Sequence, residues 1–155
     1  MAEFWYNTYK ERHWHGDATE IDIVNDVICI LALETDDEDT DETTVGTLIA
    51  GAAAEVTSTG YTGGFEGADR LSLASQAITV DQANDRAEFD CDDITWTAIA
   101  QNAAETWAAF VVFDELTNDA GSYLIAHLEP TGVPLTPNGS DIKITINAEG
   151  LLHVT

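Results

Sequence analysis

At 155 residues the chain has the length of one ordinary domain, with room for a substantial core. Asp and Glu number 29 against five Lys and Arg, a formal charge of −24, while 45% of the residues are apolar. That apolar share excludes a disordered acidic tail, and the scarcity of cations argues against a surface that grips nucleic-acid phosphates.

The opening stretch MAEFWYNTYKERHWHG mixes acids, bases and aromatics where a signal peptide needs a basic region followed by an apolar one. No apolar run approaches the length of a membrane span, so neither an export signal nor an anchor is expected. Residues 3–14 hold Phe4, Trp5, Tyr6, Tyr9 and Trp14, with Gly16 as a stop, and predict a short aromatic helix over about 3–15. Phe4, Trp5, Tyr6 and Tyr9 are the candidate assembly interface, because aromatic side chains are favoured at interface cores. The same four would serve equally well as a cover for the chain's own sheet. His13 and His15 flank Trp14 and could clamp a metal, although a surface pair at a helix end is the plainer reading.

Next comes IDIVNDVICILAL, β-branched and partly alternating, which reads as strand. The run ETDDEDTDE, residues 34–42, places seven carboxylates in nine positions. It lacks the glycine and ligand spacing of an EF-hand loop and is expected to be a solvated surface loop, with weak cation binding as the alternative. TVGTLIAGAAAEV, residues 44–56, is Ala-rich and predicts a helix, closed by TSTGYTGG.

From there the chain turns to β. DRLSLAS and QAITVDQ read as strands, ANDR as a turn, and AEFDCDDITWT as an alternating strand with Ala87, Phe89 and Cys91 on one face. WAAFVVFDE is apolar throughout and predicts a strand buried on both sides. LTNDAGS turns the chain into YLIAHLE. A proline-containing loop follows, and DIKITIN, the AEG turn and LLHVT predict a closing hairpin. The expected architecture is mainly β: a single antiparallel β-sandwich over 1–155 with one or two short helices.

Chemistry is hard to assemble from this sequence. The GxSxG, Walker, GxGxxG and HExxH patterns are missing, so no catalytic residue, cofactor or metal is assigned and no enzyme is expected. Cys29 and Cys91 lack CxxC spacing and are expected as reduced thiols. Asp90, Asp92 and Asp93 beside Trp96 could imitate a sugar or calcium site, though a solvated strand edge suits them better. Trp14, Trp96 and Trp107 could form a sugar-stacking platform, with Trp107 placed at the start of an apolar strand and better suited to a core. His127 and His153 lie on strands. Asn138 opens an NGS sequon that is also a good turn.

The many acids, with Lys10 and Lys143 the only lysines, resemble the composition of proteins from salt-loving archaeal cells. At about 1 M salt the Debye length is roughly 3 Å, and repulsion among such charges largely vanishes. YKERHWHGDATEIDIVNDVICILAL, TSTGYTGG, ITVDQANDRAEFDCDDITW, AAFVVFD, SYLIAHLE and NGSDIKITINAEGLLHV occur in that order. Together they resemble a family of small virion proteins of tailed phages and archaeal tailed viruses, labelled variously as head, decoration or tail-fibre proteins. The stretch from Asn84 to Trp96 is the most specific part. The longer acidic loop at 34–42 and FEGADRLSL depart from the family pattern. The resemblance implies a non-enzymatic structural protein on the surface of a virus particle, assembled in the host cytoplasm. It would be a capsid decoration or turret subunit whose partners are other copies of itself and other virion proteins such as the major capsid protein, with neither nucleic acid nor membrane as a partner. A tail-fibre or spike module that binds a host receptor or glycan is the alternative.

Overall fold

The computed structural model describes residues 3–15, 20–36, 39, 41–51 and 53–154. It is mainly β, with ten strands and two short helices among those residues, and every named strand pairing is antiparallel.

The centre is a five-stranded sheet in the order β1 (Glu3–Trp5), β8 (Tyr123–Leu128), β7 (Ala109–Asp114), β2 (Ile28–Leu33), β3 (Leu71–Ser72). Every residue of β2 and β7 is buried, as the unbroken apolar runs ICILAL and AFVVF require. Period-two alternation divides them between two cores. Ile28, Ile30, Ala32, Phe110 and Val112 face one way, toward β5 (Arg86–Asp90), β6 (Ile94–Ala100), β9 (Asn138–Ile144) and β10 (Leu152–Val154). Cys29, Leu31, Leu33, Val111 and Phe113 face the other way, toward α2 (Val45–Ala50) and Tyr6. The opposing layer on the first face consists of two small sheets, β10–β5–β4 with β4 at Ala77–Asp81, and β6–β9.

Between the layers stands an aromatic stack. Trp96 lies 5.3 Å from Phe110 in a stacked arrangement and meets Trp107 edge-on at 5.3 Å, while Tyr61 meets Trp107 at 5.5 Å. Each buried indole finds an acceptor: Trp96 Nε1 donates to the Asp69 carbonyl at 2.7 Å, and Trp107 Nε1 to Ser58 Oγ at 2.9 Å.

Several sequence expectations need correction. The aromatic segment is not helical throughout: residues 3–5 form β1 against β8, and α1 runs from Asn7 to His15. β8 would otherwise leave an open edge, and pairing outweighs local helix propensity there. α2 begins at Thr44, whose Oγ1 accepts from Thr47 N at 3.2 Å while Thr47 Oγ1 accepts from Thr44 N at 3.1 Å. It ends at Ala50, well short of Val56, because residues 54–56 run along the edge of β2, with Glu34 N bonding Ala54 O and Val56 N bonding Ala32 O. The strand expected over AEFDCDDITWT breaks at Cys91–Asp93 into β5 and β6, which belong to different sheets. The closing hairpin does not form either. β9 pairs with β6 and β10 with β5, and Gly150, at φ +79°, passes so close to Phe89 O that a Cβ would stand 2.5 Å from it.

Asp114 closes β7 at 4% exposure, and its Oδ1 has no hydrogen-bond partner among the described residues. Burial, reinforced by the charge of Asp26 and partly opposed by Arg12, pushes its carboxyl up to about 6. The folded state therefore holds this proton more tightly than the unfolded chain, and the associated stability is lost as pH rises from about 4 to about 6. Asp114→Asn should show a melting temperature that falls less than the parent's across that window, read by calorimetry at constant salt.

Candidate functional site

The candidate interface residues divide sharply in the structure. Tyr6 is fully buried in the α2-side core and Tyr9 is 7% exposed in the core between the layers. Phe4 and Trp5 are half-buried. Strand alternation sends Phe4 to the α2 side with Tyr6, and Trp5 toward the small sheets with Tyr9. Trp5 stacks on Tyr9 at 4.8 Å, and its indole N–H donates to the His153 carbonyl at 3.3 Å. The segment thus ties the central sheet to β10.

Trp5 and Tyr9 line an apolar cleft of about 210 Å³ with Ile23, Ile78, Phe89 and Leu152. Its mouth opens beside β4, the end strand of its sheet, and no further strand pairs with β4 among the described residues. Ile78 and Val80 are 53% and 71% exposed. Their partners in register are Phe89 and Ala87, so both stand on the cleft side of the sheet. The opposite face is ionic: Arg86 Nε contacts Glu88 Oε1 at 2.7 Å, and its guanidinium also reaches Glu149 at 3.3 Å. One face of this ribbon is therefore charged and internally satisfied, while the other is apolar and open. Backbone donors and acceptors on a free edge, flanked by exposed branched side chains, form a surface suited to another strand.

His153 also lines the cleft, while the other residues singled out from the sequence lie apart from it or play structural parts. Trp96 and Trp107 are 1% and 0% exposed, so the sugar-stacking platform is overturned: their rings fill the core. The side chain of Trp14, and those of His13 and His15, lie outside the described residues. The three aspartates diverge, with Asp92 accepting from Ser75 Oγ at 2.9 Å and Asp93 paired with Lys143 at 2.6 Å. Cys29 and Cys91 are free and buried, and burial pushes each thiol up to about 12. His127 is fully buried against Phe4, whereas His153 and Asn138 are exposed.

Sequence reasoning missed Ile78 and Val80 as surface residues. QAITVDQ alternates like any half-buried strand, and alternation cannot distinguish a face that is covered within the chain from one left open. No helix among the described residues is long and apolar enough to cross a membrane. Comparison with protein-family models, curated proteins and solved structures finds no match.

Tyr6→Ala should cost about 3 kcal/mol or more, as for other large buried aromatics. Trp5→Ala, at a half-exposed position, should cost roughly 1–2 kcal/mol. Denaturant melts of the two variants at equal salt check this ordering.

Proposed function

We propose that the chain is a non-enzymatic structural protein of a tailed virus particle from a salt-loving archaeal host. In this reading it is a capsid-surface decoration or turret subunit that assembles with copies of itself and with other virion proteins. The observation that carries the assembly reading is the open β4 edge, with Ile78 and Val80 exposed beside the aromatic cleft on an otherwise acidic molecule. Covering the exposed parts of those two side chains would contribute roughly 1–2 kcal/mol each.

Two further features support the reading. The linked motifs from TSTGYTGG to NGSDIKITINAEGLLHV follow the order seen in small virion proteins, and the most specific stretch, Asn84 to Trp96, spans β5 and the start of β6. The chain's few cations are also largely engaged within the protein. Arg70 is held by Glu55 and Asp119, Arg86 by Glu88 and Glu149, Lys143 by Asp93, and Arg12 lies over the Tyr123 ring. An uncompensated acidic exterior remains, which suits molar salt and opposes close approach of copies in dilute buffer.

Val80→Lys changes an exposed residue and should alter stability by no more than about 0.5 kcal/mol. It should reduce the assembled fraction in sedimentation at about 1 M salt, while an unchanged oligomer would remove β4 from the interface. For the parent protein, the melting temperature should fall as salt is diluted to about 0.1 M, where repulsion reaches roughly 10 Å. Electron-microscopic density of the intact particle, with this chain traced on the capsid surface, tests location directly. Recovery of the chain only with tails would favour the fibre or spike module, and absence from particles would overturn the virion reading.

A further inference from the structure

Asp36, in the acidic run, reaches back to the sheet on the face opposite the aromatic cleft. There a row of cross-strand neighbours, Leu31, Val111, His127 and Phe4, crosses β2, β7, β8 and β1. His127 is the polar member of this row and is wholly buried. The Phe4 ring lies flat on its imidazole, with centroids 4.8 Å apart and planes 2° from parallel, which fixes the ring's orientation. Two positions further on, the strand period brings Glu129 to the same side. From the loop after β2, Asp36 brings Oδ1 to 3.1 Å from His127 Nε2. One ligand atom from each of Asp36, His127 and Glu129 lies within 4.8 Å of the others.

We propose that Asp36, His127 and Glu129 form a binding site for a divalent transition-metal ion of the Zn²⁺ class, which clasps the acidic loop to the central sheet. The geometry fits in three respects. Atoms bound to one ion at about 2.0–2.2 Å stand roughly 3.0–3.5 Å apart, so the imidazole and Asp36 already have ligand spacing. Burial is graded, with His127 enclosed, Glu129 half-buried and the Asp36 side chain 41% exposed, so the site has an enclosed back and a solvent-facing front through which an ion can enter. Two carboxylates beside the imidazole supply negative charge that a divalent cation balances. A nitrogen ligand among oxygens selects Zn²⁺, Co²⁺ or Ni²⁺ over Ca²⁺ and Mg²⁺, which take oxygen ligands. Three protein ligands leave a further coordination position for water, the pattern of an open site. This inference does not depend on the virion reading.

The test uses the full chain, stripped with EDTA and kept in molar NaCl to suppress diffuse ion binding. Co²⁺ should bind at one equivalent with a visible ligand-field band, and Zn²⁺ should raise the melting temperature where equimolar Ca²⁺ does not. Asp36→Asn and Glu129→Gln alter residues that are not fully buried, and each should weaken Co²⁺ binding by about tenfold or more. The metal-free melting temperatures should stay close to the parent's, which separates lost ligation from lost folding. Equal Co²⁺ affinity in the parent and Asp36→Asn would overturn the site. So would equal stabilisation by Zn²⁺ and Ca²⁺ in both proteins, the mark of a diffuse anionic surface. A third contrary outcome is a doubly protonated His127, seen by imidazole ¹⁵N resonances, that added Zn²⁺ leaves unchanged: Asp36 would then be an ion-pair partner only.

Discussion

The antiparallel pairing of β2 with β7 governs the rest of the molecule. Six residue pairs, from Ile28 with Asp114 to Leu33 with Ala109, join two strands whose side chains are buried on both faces. A strand pair of that kind needs a cover above and below. On one side the cover is the two small sheets with Trp96, Trp107 and Val56; on the other it is α2, Tyr6 and Ala53. Each edge is closed by a short element: β1 completes the sheet beyond β8, and β3 with residues 54–56 lies along β2. The central sheet of this mainly β fold thus carries unlike coverings on its two faces.

Acids are abundant in this chain and cations are few, so carboxylates that approach the interior need other partners. Glu105, at 8% exposure, accepts from the backbone N–H groups of Thr57 and Ser58 at 2.6 and 3.1 Å. Asp69, half-buried, accepts from Thr62 N at 2.6 Å. Each fixes a loop with charge-assisted hydrogen bonds and without a basic side chain. Cations serve in two places: Arg86 holds the buried Glu88, and Arg70 has a side chain fully buried between Glu55 and Asp119 beneath the Phe113 ring. Glu55 also accepts from the Tyr61 hydroxyl at 2.8 Å, so one guanidinium organises three loops. Removing it would leave two carboxylates facing each other in a sparsely solvated place, which is a severe lesion in a buried ion network.

How much of this could be read from the sequence depends on the range of the forces involved. β7 was legible because an unbroken apolar run between turn residues demands burial on both faces. The turn before β8 was legible from Asn118, Asp119 and Gly121, and Asn118 does bond the amides of Gly121 and Ser122. The break at Cys91–Asp93 left a trace, since the paired Asp92 and Asp93 shift the apolar phase from Phe89 and Cys91 to Ile94 and Trp96, but the sequence does not say where each half goes. What redirects the chain there is distant: Asp93 accepts from Ile146 N at 2.9 Å, and Gly150 lets β10 pass close to β5. The candidate site was half legible. The aromatics at residues 4–9 stood out, but their division between interior and surface depends on β1 pairing with β8. Their neighbour Ile78 comes from a strand whose pattern resembles any other.

The pairing of β1 with β8 also sets a timetable for synthesis. Trp5 meets the His153 carbonyl across 148 positions of sequence, and Phe4 must wait for His127. At ribosomal speeds the early aromatics emerge roughly ten seconds or so before the strands that bury them. Contacts of such long range also slow folding, because the loop must close before the contact forms. During that interval the segment is an exposed sticky end, and the acids that follow it supply the repulsion that keeps neighbouring nascent chains apart. The charge that gives the finished protein its acidic exterior thus acts earlier as a guard on an unfinished one.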